Sequence, residues 1–311
     1  MDFSKIVTKS AFGRQNQVYL KDLIPLDTNI DYSPTDEFIK LIDCIRYARN
    51  NSKPVIMFMG AHVIKCGLSL FVIDLIKQGW ITHLAGNGAV SIHDFELAFL
   101  GATSEDVPMA IDDGSFGMWE ETGGWMNDAI KIGKDAGYGK AVAQYIESNI
   151  ERFPHFSMSI LHTAYKLDIP VTIHVAIGTD IIHQHPSADF GSIGIASGND
   201  FYIFCESVSD LDGGVFMNFG SAVTGPEVFL KALSIVRNLG YAKDNITTAN
   251  FDLKPLGDYK INIGYEDPDY YYRPRKNIVN RPTQNSGKGW HFELDHIISI
   301  PLLHQLLVER G

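Results

Sequence analysis

The chain has 311 residues, 45% of them hydrophobic, with a formal charge of −11 and a pI near 5.4. That length and apolar content can bury a substantial core, while the acidic balance excludes a general nucleic-acid binder, which needs excess lysine and arginine to neutralise phosphates. Cys44, Cys66 and Cys205 are isolated thiols with no CxxC pair, so neither a disulfide framework nor a thiolate zinc site is expected, and a reducing cytoplasm fits best. The first residues lack an apolar signal-peptide core and no apolar run approaches a membrane span, so a soluble protein without membrane contact is expected.

Residues 1–34 mix Lys, Asp and Pro around short apolar groups and read as an arm or cap packing on a neighbouring subunit. Thr35 is a suitable N-cap for an amphipathic helix carrying Phe38, Leu41, Ile42 and Ile45. The run Val55-Ile56-Met57-Phe58-Met59 is continuously apolar, as in a parallel strand buried on both faces, and stops at Gly60-Ala61-His62. From Gly67 the period becomes helical through Leu68, Phe71, Val72, Leu75 and Ile76, closing at Lys77-Gln78-Gly79. A strand over 80–85 then ends in a second small-residue loop, Gly86-Asn87-Gly88-Ala89. Loops at the carboxyl ends of parallel strands are where α/β sheets bind ligands, and two on one edge could accept a pyrophosphate and a ribose.

The next helix, residues 90–101, carries His93, Asp94 and Glu96 in its first turns beside that loop. Residues 103–139 are glycine-rich and irregular, which suggests a lid or an oligomer contact. Helical periodicity returns over 140–153 and 157–167, separated by Pro154. A third strand, 169–176, runs into a turn holding Asp180, His183 and His185. An aspartate after a strand end can hold a ribose hydroxyl; alternatively imidazole and carboxylate could bind a metal. The fourth strand, 213–219, ends at Gly220-Ser221-Ala222-Val223, with a helix near Pro226 and Glu227. A fifth ends near Thr247-Thr248-Ala249. Alternating strands and helices predict an α/β fold, a Rossmann-like open parallel sheet with helices on both faces. The tyrosine-rich, basic stretch 253–284 reads as a subunit contact, and Ser286-Gly287-Lys288-Gly289 as a loop before the terminal helix.

In their order these landmarks resemble the deoxyhypusine synthase family over roughly residues 50–305. Gly60, Ala61, His62 and Val63 look like the family's first dinucleotide loop, and Gly86-Asn87-Gly88 with Asp94 and Glu96 like its Thr-Thr-Ala-Gly-Gly loop and acidic pair. Thr179-Asp180 matches its ribose-binding Thr-Asp, and Gly220-Ser221 its Gly-Gly-Gly-Val loop. Thr247-Thr248-Ala249 matches Asn-Thr-Ala, and Asp295-His296 through Pro301-Leu302-Leu303 its Asp-Ala-Ser segment. Arg281-Pro282 with Gly287-Lys288 mirrors an Arg-Pro followed by the family's Trp-Gly-Lys.

The resemblance implies one deoxyhypusine synthase-like domain over 1–311. Residues 1–50 would form an arm and helix, and residues 51–311 an NAD-binding core with insertions at 103–139 and 253–284. It also implies a cytoplasmic homotetramer and an NAD-dependent aminoalkyl transferase, in which Lys288 traps an imine formed from an amine or polyamine. Asp94, Glu96, His185 and Trp290 would bind that substrate, and no metal enters. The family's substrate-gripping Lys-His-His is replaced here by Gly225-Pro226-Glu227. Two alternatives stand beside it: a metal-dependent hydrolase using His62, His93, Asp180, His183 and His185, and a nucleotide-binding protein without catalysis.

Overall fold

The computed structural model describes residues 2–308 except 242, 243 and 262. Its first regular element is a short strand, β1 (Asn16–Tyr19), and the first long helix is α1 (Asp36–Asn50), whose amino end is capped by Thr35 Oγ1 accepting from Phe38 N at 3.2 Å. Then follow β2 (Val55–Met59), the single turn α2 (His62–Lys65), α3 (Ser69–Lys77), β3 (His83–Asn87) and α4 (Gly88–Leu100). Helix α4 stops at Gly101, whose φ of 68° suits a residue without a β-carbon. Strand β4 (Ala102–Glu105) leads into α5 (Val107–Asp112), α6 (Met126–Gly133), α7 (Tyr138–Ser148) and α8 (Ile160–Lys166). The chain continues through β5 (Val171–His174), α9 (Phe190–Ser209), β6 (Val215–Phe219), α10 (Thr224–Asn238) and β7 (Thr247–Asp252). It closes with β8 (Lys288–Glu293) and α11 (His296–Val308).

Six strands form one sheet in the order β5-β3-β2-β6-β7-β8, and every pairing is parallel. Counted along the chain from β2, this is the 3-2-1-4-5-6 arrangement of doubly wound dinucleotide folds, whose strand order reverses between the first and fourth strands. Here that point lies between β2 and β6. The expected α/β sheet is present, with one strand more than the sequence suggested: Gly287-Lys288-Gly289 does not sit in a loop but enters an edge strand, Lys288 pairing with Thr247.

Alternation along β2 divides the core. Val55, Met57 and Met59 join Phe38, Ile45, Phe251 and Leu303 on one face, while Ile56 and Phe58 join Phe204, Phe216, Phe229 and Leu233 on the other. Phe216 stacks on Phe229 at 3.9 Å between ring centroids. Each fully buried side chain of this size contributes roughly 1.5–3 kcal/mol relative to exposure. Both faces of the sheet are therefore covered, which is why its strands read as unbroken apolar runs.

The amino-terminal arm folds back on its own chain. Strand β1 pairs antiparallel with β4, with Val18 opposite Thr103, and Glu121 receives Ser10 Oγ at 2.7 Å and Ala11 N at 2.6 Å. Residues 103–139 are thus ordered by strand pairing and buried hydrogen bonds. In the 253–284 stretch the turn Arg275–Asn280 buries Ile278 under the sheet, while Tyr265 and Tyr271 stay exposed. Among the described residues no helix is long and apolar enough to cross a membrane.

Candidate functional site

At the switch point two turns meet backbone to backbone. Gly60 N donates to Phe219 O at 2.8 Å, and a β-carbon on Gly60 would stand 3.1 Å from Gly220 O. Gly220 itself has φ 69°, and a β-carbon there would meet His296 Nε2 at 2.5 Å. Both positions tolerate little beyond glycine, which lets the two turns pack backbone to backbone at the place where such folds receive a dinucleotide. His296 lies over Phe219 with ring centroids 6.0 Å apart, so the start of α11 closes this crevice. Ser221 Oγ accepts from Gly225 N at 2.9 Å and fixes the loop ahead of α10.

Beside the crevice, on the β3 side, is a second concavity of about 190 Å³, lined among others by Arg14, Lys65, His93, Glu96, Glu105 and Asp180. Its frame is a chain of buried hydrogen bonds. Arg14 Nη1 donates to Glu96 Oε1 at 2.6 Å, with both side chains 2% exposed. Thr122 Oγ1 also donates to Oε1, at 2.8 Å, and Thr103 Oγ1 to Oε2 at 2.6 Å. Burial alone would raise the Glu96 carboxyl, but the Arg14 hydrogen bond and charge outweigh it and hold it below the usual range. Thr103 spends its single proton on Glu96, so it must accept from His93 Nδ1, 2.6 Å away. The His93 proton is thereby placed on Nδ1 and the lone pair on Nε2. Burial lowers this imidazole to about 4, keeping it neutral.

Asp180 follows β5 and leans against the amino end of α4, so closely that Gly88 has no room for a β-carbon. Burial raises its carboxyl to about 6, and its Oδ2 is buried without a partner. His183 Nδ1 accepts from Gly178 N at 3.1 Å and Asp180 N at 3.2 Å, which leaves the proton on Nε2, itself unpartnered and 3.8 Å from Asp180 Oδ2. Glu105 Oε2 accepts from Gly117 N at 3.0 Å, and burial raises that carboxyl too.

The sequence-derived candidates divide by edge. Gly60, Ala61, His62, Gly86, Asn87, Gly88, Asp180, Gly220, Ser221, Asp295 and His296 all lie at the carboxyl edge of the sheet. Val63 is there as well, but its side chain is buried in the core. Asn87 caps α4, accepting from Val90 N at 3.3 Å.

Lys288, Thr247 and Thr248 are at the other end. Lys288 begins β8 in register with Thr247 at the start of β7, so about 17 Å of strand separates it from the carboxyl edge. It stands 3.6 Å from Cys44 Sγ and cannot reach over a coenzyme bound at the switch point of the same chain. Thr248 donates to Ile278 O at 2.7 Å. Trp290 is buried within β8 in register with Ala249, its side chain packed into the core cluster that holds Phe38 and Phe292.

Asp94 is also corrected. Asp94 is fully buried and accepts from Ser159 Oγ, Ile160 N and Leu161 N at 2.5, 2.6 and 3.2 Å, which anchors the start of α8 and leaves it no substrate role. His185 packs against Gly123, its Nδ1 held by Ser187. Glu96 does line the cavity, but as the counter-ion of Arg14 and not as a free carboxylate.

The histidines and Asp180 of the metal-hydrolase alternative do not converge: among the described residues no three His, Cys, Asp or Glu side chains are placed to hold a metal ion. Sequence reasoning missed Arg14, Lys65, Thr103 and Glu105. Their only advance signal was Glu96 itself, a carboxylate in an apolar helix that required a buried partner.

No family model matches the sequence, and no curated protein matches it. Among solved structures, apo ArgZ, an arginine dihydrolase from the ornithine-ammonia cycle in cyanobacteria, superposes with a TM-score of 0.54 at 14% identity, over 90% of this chain and 34% of that one. AgrE in ternary complex with ornithine and NAD+ gives 0.54 at 13% identity over the same shares. A conserved protein of Methanococcus maripaludis S2 named for LOR/SDH gives 0.55 at 14% identity, over 98% of this chain and 76% of that one. The chain spans about a third of the length of ArgZ and AgrE. At these identities the likeness establishes the fold. A protein of Entamoeba histolytica named for deoxyhypusine synthase reaches a TM-score of only 0.43 at 8% identity, which carries no argument.

Proposed function

We propose that the protein is an NAD-dependent enzyme that exchanges hydride with an amine substrate at the carboxyl edge of its sheet. The observation that carries the reading is the pair of close-packed glycine turns at the switch point, Gly60 against Gly220, in a 3-2-1-4-5-6 parallel sheet. The residues present fit a dinucleotide: exposed backbone at Gly220, Ala222 and Val223, and the amino ends of α4 and α10 opening on the same edge. AgrE, a neighbour in fold, was crystallised with ornithine and NAD+, which supports the same reading for this chain.

When bound, the nicotinamide would supply the hydride acceptor. The chain's own contribution is charge placement and orientation in the adjoining cavity. His93, neutral and with its lone pair on Nε2, can accept a hydrogen bond from a substrate ammonium and so orient it, while an imidazole held this low is too weak a base to take the ammonium's proton. The Glu96–Thr103 relay holds that tautomer in place. The aminoalkyl-transferase form of the reading required a lysine over the coenzyme, and Lys288 does not supply one within the chain. Assembly into a cytoplasmic homo-oligomer belongs to the same proposal, with light scattering as its test. Calorimetric titration with NAD+ and NADH tests the core of it: saturable binding of either supports the reading, and binding of neither overturns it.

A further inference from the structure

The polyamine expectation placed only carboxylates around the substrate, and the cavity beside the crevice is not lined that way. Two cations, Arg14 and Lys65, share it with Glu96, Glu105 and Asp180, and Glu96 is already committed to Arg14 and two threonines. Arg14 uses Nη1 on Glu96 and Nε on Asn16 Oδ1 at 2.8 Å, while Nη2 is buried with no partner. Elsewhere on the lining Asp180 Oδ2 is buried with no partner either. With Glu105 Oε1, also buried and unpartnered, one unfilled cationic donor and two unfilled anionic acceptors thus belong to residues of a single cavity, in a chain whose buried polar atoms are mostly paired.

We infer that this cavity takes the zwitterionic head of a small α-amino acid, its carboxylate toward Arg14 and Lys65 and its ammonium toward Asp180 and Glu105. The inference rests on the reading of this edge as the reacting site and names the class of amine. A polyamine has donors only, so it would meet Arg14 Nη2 and Lys65 with like charge and leave both unfilled. A simple carboxylic acid would leave Asp180 unfilled. An α-amino acid carries both charges on one carbon, and its side chain is free to extend along the remainder of the 190 Å³.

The test uses the full chain saturated with NAD+ and three calorimetric probes: L-ornithine, putrescine, which is ornithine without its carboxylate, and 5-aminopentanoate, which lacks the α-ammonium. Ornithine is expected to bind at least tenfold more tightly than either. Lys65→Met and Asp180→Asn are each expected to weaken ornithine at least tenfold; these two are chosen because an Arg14 variant strands a buried carboxylate and can fail to fold. Putrescine binding as tightly as ornithine, or both variants binding ornithine as the parent does, overturns the inference. Coenzyme titrated alone separates the two readings. A chain that takes NAD+ but prefers no amino acid overturns this inference and leaves the coenzyme site standing. One that binds ornithine but no coenzyme supports the cavity and overturns the hydride chemistry.

Discussion

Arg14, on the amino-terminal arm, meets Glu96, on α4, at 2.6 Å with both side chains 2% exposed. A pair this deep is a joint: it fixes the arm against the helix whose neighbouring residue His93 faces the cavity. Removing one partner leaves an uncompensated charge in the interior. Arg14→Met is therefore expected to destabilise the fold by about 3–5 kcal/mol, and Arg14→Met combined with Glu96→Gln to recover a good part of that loss. Urea denaturation of both variants checks it; a single variant within 1 kcal/mol of the parent would mean the pair adds little.

Gly220 combines φ 69° with His296 Nε2 at 2.5 Å from where a β-carbon would be. Gly220→Ala is expected to lose roughly 1–3 kcal/mol from backbone strain and to weaken NAD+ binding by displacing His296. Thermal melts with and without coenzyme report both effects, and an unchanged melt together with unchanged coenzyme affinity would refute the geometry.

Lys288 occupies the amino edge, so Lys288→Ala should leave coenzyme affinity and turnover within about twofold of the parent. Borohydride reduction during turnover should likewise leave no adduct on this residue. A loss of turnover with the fold intact would restore the lysine to the chemistry.

His83 is fully buried between Ser207 Oγ at 2.7 Å and Thr172 Oγ1 at 2.9 Å, and burial lowers its imidazole to about 3. The folded chain refuses a proton that the unfolded chain accepts near pH 6.5. The sign follows: the stability that this group supports is present above pH 6.5 and is lost as pH falls from there toward 3. His83→Gln should make the dependence of unfolding free energy on pH shallower by up to about 1.4 kcal/mol per pH unit between pH 4 and 6. Denaturation series at about pH 4, 5 and 6, spanning that window, decide it, and parallel curves for parent and variant would exclude the mechanism.

Much of the sheet was legible because it is local. Strand β2 is five buried apolar residues in a row, and the glycine turns after β2, β3 and β6 each interrupt such a run at the edge where ligands bind. Thr35 announced α1 by its own chemistry. What stayed hidden was long-range. Strands β1 and β4 stabilise each other across the chain, and neither has a period that reveals it. Lys288 between two glycines reads as a turn, because an edge strand held on one side needs less apolar character than a central one. Asp94 and Glu96 looked equivalent in the sequence, two residues apart on one helix. The structure turns one toward the start of α8 and the other toward the cavity, and only their partners, Ser159 and Arg14, distinguish them.

Synthesis gives the Arg14–Glu96 joint a further meaning. The guanidinium leaves the ribosome 82 residues ahead of the carboxylate that neutralises it, and Thr122, the last member of the cluster, follows later still. The Arg14 end of the arm can therefore take its final place only once the chain through Glu96 and Thr122 exists, whereas its Ile24 end meets Gly67 much earlier.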